Sequence, residues 1–107
     1  MVLERRGRDR LYIIAEILAI TKDGSLKTQV MYRANLSFKQ LNDYLSFLLK
    51  RELIEVIEKN KKNIYKTTPK GIRYLENYEG ILNLLMRQEP EWKKETPLLR
   101  IGGRNES

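Results

Sequence analysis

The chain has 107 residues, and its 21 Lys and Arg against 14 Asp and Glu give a formal charge of +7 and a pI near 9.7. That length suits one domain, and that charge suits a polyanionic partner. The absence of Cys and His excludes disulfide frameworks, Cys/His zinc sites and every arrangement of a nucleophile with a histidine.

In chain order, Arg5, Arg6, Arg8 and Arg10 make a basic N-terminal arm, with the arm proper over residues 1–9. It leads into no apolar segment with a small-residue cleavage site, and no apolar run approaches the ~20 residues that span a bilayer. A cytoplasmic protein with no membrane partner is therefore expected. A folded domain follows over residues 10–88. Asp9 is placed to cap a first helix on which Leu11, Ile14, Ala15 and Leu18 recur at helical spacing. Ile13, Ile17 and Ile20 widen that stripe, so the helix is expected to be covered on two sides. Gly24 is a natural residue to follow it.

Ser25 is the expected N-cap of a short second helix, with Val30, Met31 and Ala34 inward and Asn35 ending it in left-handed geometry. Ser37 and Gln40 form an S-x-x-Q capping box for a third helix that buries Phe38, Leu41, Leu45, Leu48 and Leu49. The period then changes. Residues 54–58 and 64–68 are β-branched or aromatic, and the Lys59 to Asn63 stretch between them is a polar turn, so a β-hairpin with a basic tip is expected. Thr68 caps a fourth helix, Pro69 takes its first position, and Ile72, Leu75, Tyr78, Leu82 and Leu85 form its stripe as far as Gln88. Pro90 ends that helix. Residues 89–107 read as an irregular tail, with Trp92, Leu98, Leu99 and Ile101 available to pack back or to meet a partner.

The order helix, helix, helix, hairpin, helix defines an α+β fold, mostly α, laid out as a winged helix-turn-helix. In such a layout the third helix fits the major groove of DNA and the hairpin reaches the backbone beside it. The segments Ser25-Leu26-Lys27-Thr28, Val30 to Ser37, Gln40-Leu41, Tyr44-Leu45, Leu48-Leu49 and Thr68-Pro69-Lys70-Gly71 also resemble an archaeal winged-helix family. That family holds predicted transcriptional regulators and small dimeric chromosomal DNA-binding proteins of hyperthermophiles. The resemblance covers about Arg10 to Gln88 and implies DNA binding. It also implies a dimer through the last helix, which Pro90 ends early here. The abundance of Ile, Lys, Glu and Arg is in keeping with a thermophile.

Ser37, Lys39, Gln40, Asn42, Asp43, Tyr44 and Ser46 lie off the buried face of the third helix. They are candidates to contact DNA, and the plainer alternative is a solvated helix face. Gln and Asn suit adenine and Lys suits guanine or phosphate, whereas Asp43 either accepts from cytosine or ties down a neighbouring Lys. Lys59, Lys61 and Lys62 at the hairpin tip, and Lys27 at the start of the second helix, are candidates for phosphate, or simply surface lysines. Tyr78, Leu82 and Leu85 either form a dimer seam or pack on the first helix.

The carboxylate pairs Glu52/Glu55 and Glu89/Glu91 sit among Lys and Arg with no nucleophile nearby. No enzymatic activity, metal or organic cofactor is therefore expected. The leading expectation is a double-stranded DNA-binding protein, a transcriptional regulator or a chromatin protein. The alternative is a winged-helix module that docks an acidic protein partner.

Overall fold

The computed structural model describes residues 9–85. The arm residues before Asp9, the Gln88 end of the last helix and the tail from 89 onward lie outside the described residues. Within them the chain forms α1 (Arg10–Ile20), β1 (Ser25–Leu26), α2 (Lys27–Ala34), α3 (Phe38–Lys50), β2 (Ile54–Lys59), β3 (Lys62–Thr67) and α4 (Pro69–Leu85). This is the expected winged-helix order, with one short strand added. None of these helices is long and apolar enough to cross a membrane.

Local chemistry sets most boundaries. The Asp9 carboxylate accepts the Tyr12 N–H at 2.8 Å and opens α1. Ser37 and Gln40 close the reciprocal box at the start of α3, with Ser37 Oγ accepting from Gln40 N at 3.1 Å and Gln40 Oε1 accepting from Ser37 N at 2.9 Å. Thr68 Oγ1 accepts the Gly71 N–H at 3.1 Å and starts α4. Asn35 ends α2 with φ of 55°. Glu52 ends α3 with φ of 61°, and the Leu53 N–H reaches back to the Leu48 carbonyl at 2.9 Å. That is the Schellman closure, built on a residue with a Cβ where glycine is usual.

The start of α2 differs from expectation. Its N-cap is Leu26, whose N–H donates to Gln29 Oε1 at 2.9 Å. Ser25 belongs instead to β1, and its hydroxyl donates to the Ile20 carbonyl at 3.0 Å. β1 is paired antiparallel to β3, Ser25 opposite Tyr65 and Leu26 opposite Ile64, so the sheet order is β1-β3-β2. The hairpin is also tighter than expected. β2 and β3 pair from Ile54 opposite Thr67 to Lys59 opposite Lys62, which leaves Asn60 and Lys61 as a two-residue turn.

The core is one cluster. Ile13, Ile14, Ile17 and Leu18 of α1 meet Val30 and Ala34 of α2, Leu41, Leu45 and Leu48 of α3, and Leu36, Leu53, Ile54 and Tyr65. Two expected core residues of α3 are outside it: Phe38 is 61% exposed and Leu49 is 36% exposed. The buried row at 41, 45 and 48 spans a narrow arc, and residues 38 and 49 fall on its solvent flank.

α4 is seated on this core at two places. At Gly71 an added Cβ would lie 2.3 Å from the Leu53 carbonyl oxygen and 2.5 Å from Thr67 Cγ2, so the backbones touch where no side chain fits. One turn on, the Tyr74 hydroxyl donates to the Leu11 carbonyl at 2.9 Å, and the Tyr74 ring stacks on Tyr78 at 6.2 Å. Burial, with smaller contributions from Tyr78 and Asp9, pushes the Tyr74 hydroxyl up to about 12 from 10.0.

Replacing Gly71 with Ala should lower stability by about 2 kcal/mol, because overpacking against a rigid carbonyl outweighs the ~1 kcal/mol that Ala gains in a helix. Urea unfolding should show a lower midpoint with an unchanged slope. Between pH 10 and about 12 Tyr74 ionises in the unfolded chain but keeps its proton in the folded one. Stability is therefore full below pH 10 and falls as pH rises toward 12. In Tyr74→Phe, alkaline denaturation monitored by circular dichroism should show a shallower decline over that window.

Candidate nucleic-acid interface

The surface of α3 is organised by its buried row. Opposite Leu41, Leu45 and Leu48, the helix turns Lys39, Asp43, Ser46 and Lys50 to solvent. Lys50 was missed in the sequence because the periodic reading stopped at Leu49. Its spacing of four from Ser46 and seven from Asp43 puts it on the same outward row. Lys39 Nζ lies 3.1 Å from Asp43 Oδ2, an i,i+4 pair with both side chains exposed, so Asp43 does hold a neighbouring lysine. Asn42 and Tyr44 are partly buried on the two flanks of the row.

Ser37 and Gln40 are committed to the helix cap. The Gln40 amide oxygen accepts from Ser37 N, which leaves its second lone pair and its amide nitrogen for another partner while the cap stays closed. Gln40, Asp43, Tyr44 and Phe47 line a groove with Arg10 and Ile14 of α1. The Arg51 guanidinium closes over the Phe47 ring at 4.7 Å.

On the opposite flank, three elements converge. Leu26, Lys27 and Thr28 at the start of α2 share a cleft with Lys62, Asn63 and Tyr65 of β3. The first-turn N–H groups of a helix favour anions, and two lysines from separate elements border the same cleft. Lys27 Nζ also lies 4.9 Å from the centre of the Phe38 ring, at the first position of α3. The start of α2 is thus tied to the start of α3 on one side and to the hairpin on the other. Thr28 and Asn63 were not among the contact residues expected from sequence, because their place depends on residues up to 37 positions away, and Phe38 was expected in the core.

At the hairpin tip Lys59, Lys61 and Lys62 are all exposed. Asn60 and Lys61 have φ of 52° and 64°, a turn with both central residues left-handed. That geometry matches the twist of the flanking strands and favours Asn followed by Gly. Asn60 suits it, whereas Lys61 carries a Cβ there at a cost of roughly 1–2 kcal/mol.

The proposed dimer residues divide. Tyr78 and Leu82 are partly buried, and of the three only Leu85 is exposed. Ile81 and Leu84, which were not singled out, are more exposed than either, at 54% and 85%. An apolar patch therefore lies on the outer half of α4.

A family model described as winged helix-turn-helix matches residues 7–86. An uncharacterized protein of Methanocaldococcus jannaschii is 39% identical over 79 residues, which make up 73% of this chain and 36% of that protein. A second uncharacterized protein of the same organism is 38% identical over 64 residues, 59% of this chain and 63% of its own length. The chain therefore spans about a third of one relative and less than two thirds of the other. Among solved structures, Sso10a-2, a DNA-binding protein from Sulfolobus solfataricus, superposes with a TM-score of 0.66 at 24% identity over 88% of this chain and 99% of that one. The winged-helix DNA-binding protein F93 from STIV gives 0.60 at 17% identity, covering 83% and 98%. MepR, a transcription regulator of the Staphylococcus aureus multidrug efflux pump MepA, gives 0.60 at 16%, covering 87% and 75%. At these identities the likeness to solved structures is one of fold.

Proposed function

The chain belongs to the winged helix-turn-helix family, and from that premise we propose that it binds double-stranded DNA, with α3 in the major groove and the β2–β3 wing on the backbone, in the service of transcription regulation. The observation that carries this reading is the convergence of the α2 start, the α3 start and the wing on one surface, bordered by Lys27 and Lys62. A helix in the groove presents its N-terminal residues to base edges while the neighbouring helix and loop hold the phosphates. The lysines supply capture by counterion release. Lys39, Asn42, Ser46 and Lys50 are the side chains of α3 assigned to the groove.

Lys61 supports the same assignment from another direction. A lysine in left-handed geometry is strained where glycine would relax the turn, and such strain points to a role outside the fold. Contact with phosphate at the wing tip is that role. The apolar patch of Ile81, Leu84 and Leu85 is assigned to a second copy of the chain, giving a dimer that would bind half-sites about one DNA turn apart.

Three measurements follow. Titration of labelled duplexes, one of random sequence and several from a selection pool, should show affinity that falls steeply with salt; discrimination of about 10³-fold or more marks a regulator, and its absence an architectural protein. Absence of binding even at low salt overturns the proposal. Lys61→Gly should raise stability by about 1 kcal/mol while weakening DNA binding and reducing the salt slope by about one. In sedimentation equilibrium the wild type should be dimeric, and Ile81→Glu with Leu85→Glu should be a folded monomer; a wild-type monomer removes the dimer assignment.

A further inference from the structure

Phe38 stands at the first position of α3 with 61% of its surface in water. Nothing in the fold asks for a large apolar side chain there. The apolar contact that commonly braces a helix start joins the residue before the cap to the fourth helical residue. In α3 those are Leu36 and Leu41, both already in the core. The cap itself is supplied by Ser37 and Gln40. Phe38 thus exposes apolar surface that neither the core nor the cap accounts for.

The ring is nonetheless held. Lys27 Nζ sits 4.9 Å from its centroid, in the attractive position for a cation over an aromatic face. One face is therefore occupied by a charge suited to phosphate, while much of the ring's surface remains open. In a helix docked in the major groove, the first residues meet base edges. What the major groove offers an apolar ring is the C5-methyl group of thymine, the one apolar feature in its code.

We infer that Phe38 is a specificity-determining residue that reads thymine methyl groups, with Lys27 as its positioning partner; this rests on the docking of α3 proposed above. Burying one methyl against the ring is worth about fourfold in affinity. The contact discriminates T·A from C·G and adds a sequence preference to a surface otherwise dominated by charge.

The test compares two duplexes of the same sequence, one with thymine and one with deoxyuridine at every such position, for wild type, Phe38→Ala and Phe38→Leu. Uracil differs from thymine only by the methyl group. Because substitution also alters duplex shape, the readout is the thymine-to-uracil affinity ratio compared between proteins. Wild type should favour thymine about fourfold or more, Phe38→Ala should show little preference, and Phe38→Leu should retain part of it. The exposed position leaves the fold of both variants intact, checked by unchanged thermal unfolding. Salt-dependent binding with equal ratios for wild type and Phe38→Ala overturns this inference and leaves the DNA-binding reading standing. Failure of wild type to bind either duplex overturns both.

Discussion

The buried hydroxyl pair of Thr21 and Thr67 joins the helical half of the molecule to the sheet. Thr67 Oγ1 donates to the Leu18 carbonyl at 2.7 Å and lies 2.8 Å from Thr21 Oγ1, which also reaches the Ile17 carbonyl at 2.9 Å. Two hydroxyl protons thus serve three short contacts, and the Thr67 N–H adds a bond to the Thr21 carbonyl at 3.0 Å. The last carbonyls of a helix have no partner within it and are costly to bury bare. In α1 the Leu18 and Ile20 carbonyls accept from Thr67 of β3 and Ser25 of β1, so the sheet docks by capping the helix. A residue of the wing strand is thereby fixed to the helix on which α2 and α4 also rest.

From that junction the exposed surface acquires its asymmetry. β3 carries Thr67 into the core at one end and Lys62 toward the tip at the other. One strand thus transmits the position of α1 to the basic wing. β1 pairs with the same strand and delivers the chain directly into Lys27 and Thr28 of α2. α3 is held through its narrow buried row, which leaves Lys39, Asp43, Ser46 and Lys50 on the solvent side. The wing, the α2 start and the α3 start are therefore held in fixed positions relative to one another.

Much of this was legible in the sequence, and the reason is local. Asp9, Asn35, Ser37 with Gln40, and Thr68 with Pro69 act on backbone groups within a few residues, and each marks the boundary it was expected to mark. What was not legible depended on distant partners. β1 is two residues long and exists only because Tyr65 and Ile64 lie beside it, so Ser25 reads as a cap when seen alone. Phe38 and Leu49 fit an apolar period that counts spacing but not the width of the buried arc. The wing lysines and the α2 lysine stood out by charge; that Lys27 and Lys62 border one cleft is a fact of topology. On α4 the sequence marked an apolar stripe that ends in Leu85, yet Ile81 and Leu84 beside it are also exposed, because α1 shields the earlier turns.

The close approach at Gly71 makes α4 a strut with a fixed root. Its first turn is pressed against the Leu53 carbonyl, so the helix cannot slide or roll there to suit whatever its far end meets. Each residue of an α-helix advances about 1.5 Å and turns about 100°. Inserting or deleting a single residue between Gly71 and Ile81 would swing Ile81, Leu84 and Leu85 a quarter-turn or more away from their present heading. Changes of three or four residues would nearly restore it. The helix α4 can therefore lengthen or shorten over evolution only in near-whole turns, which restricts the reach of its far end to a few discrete distances.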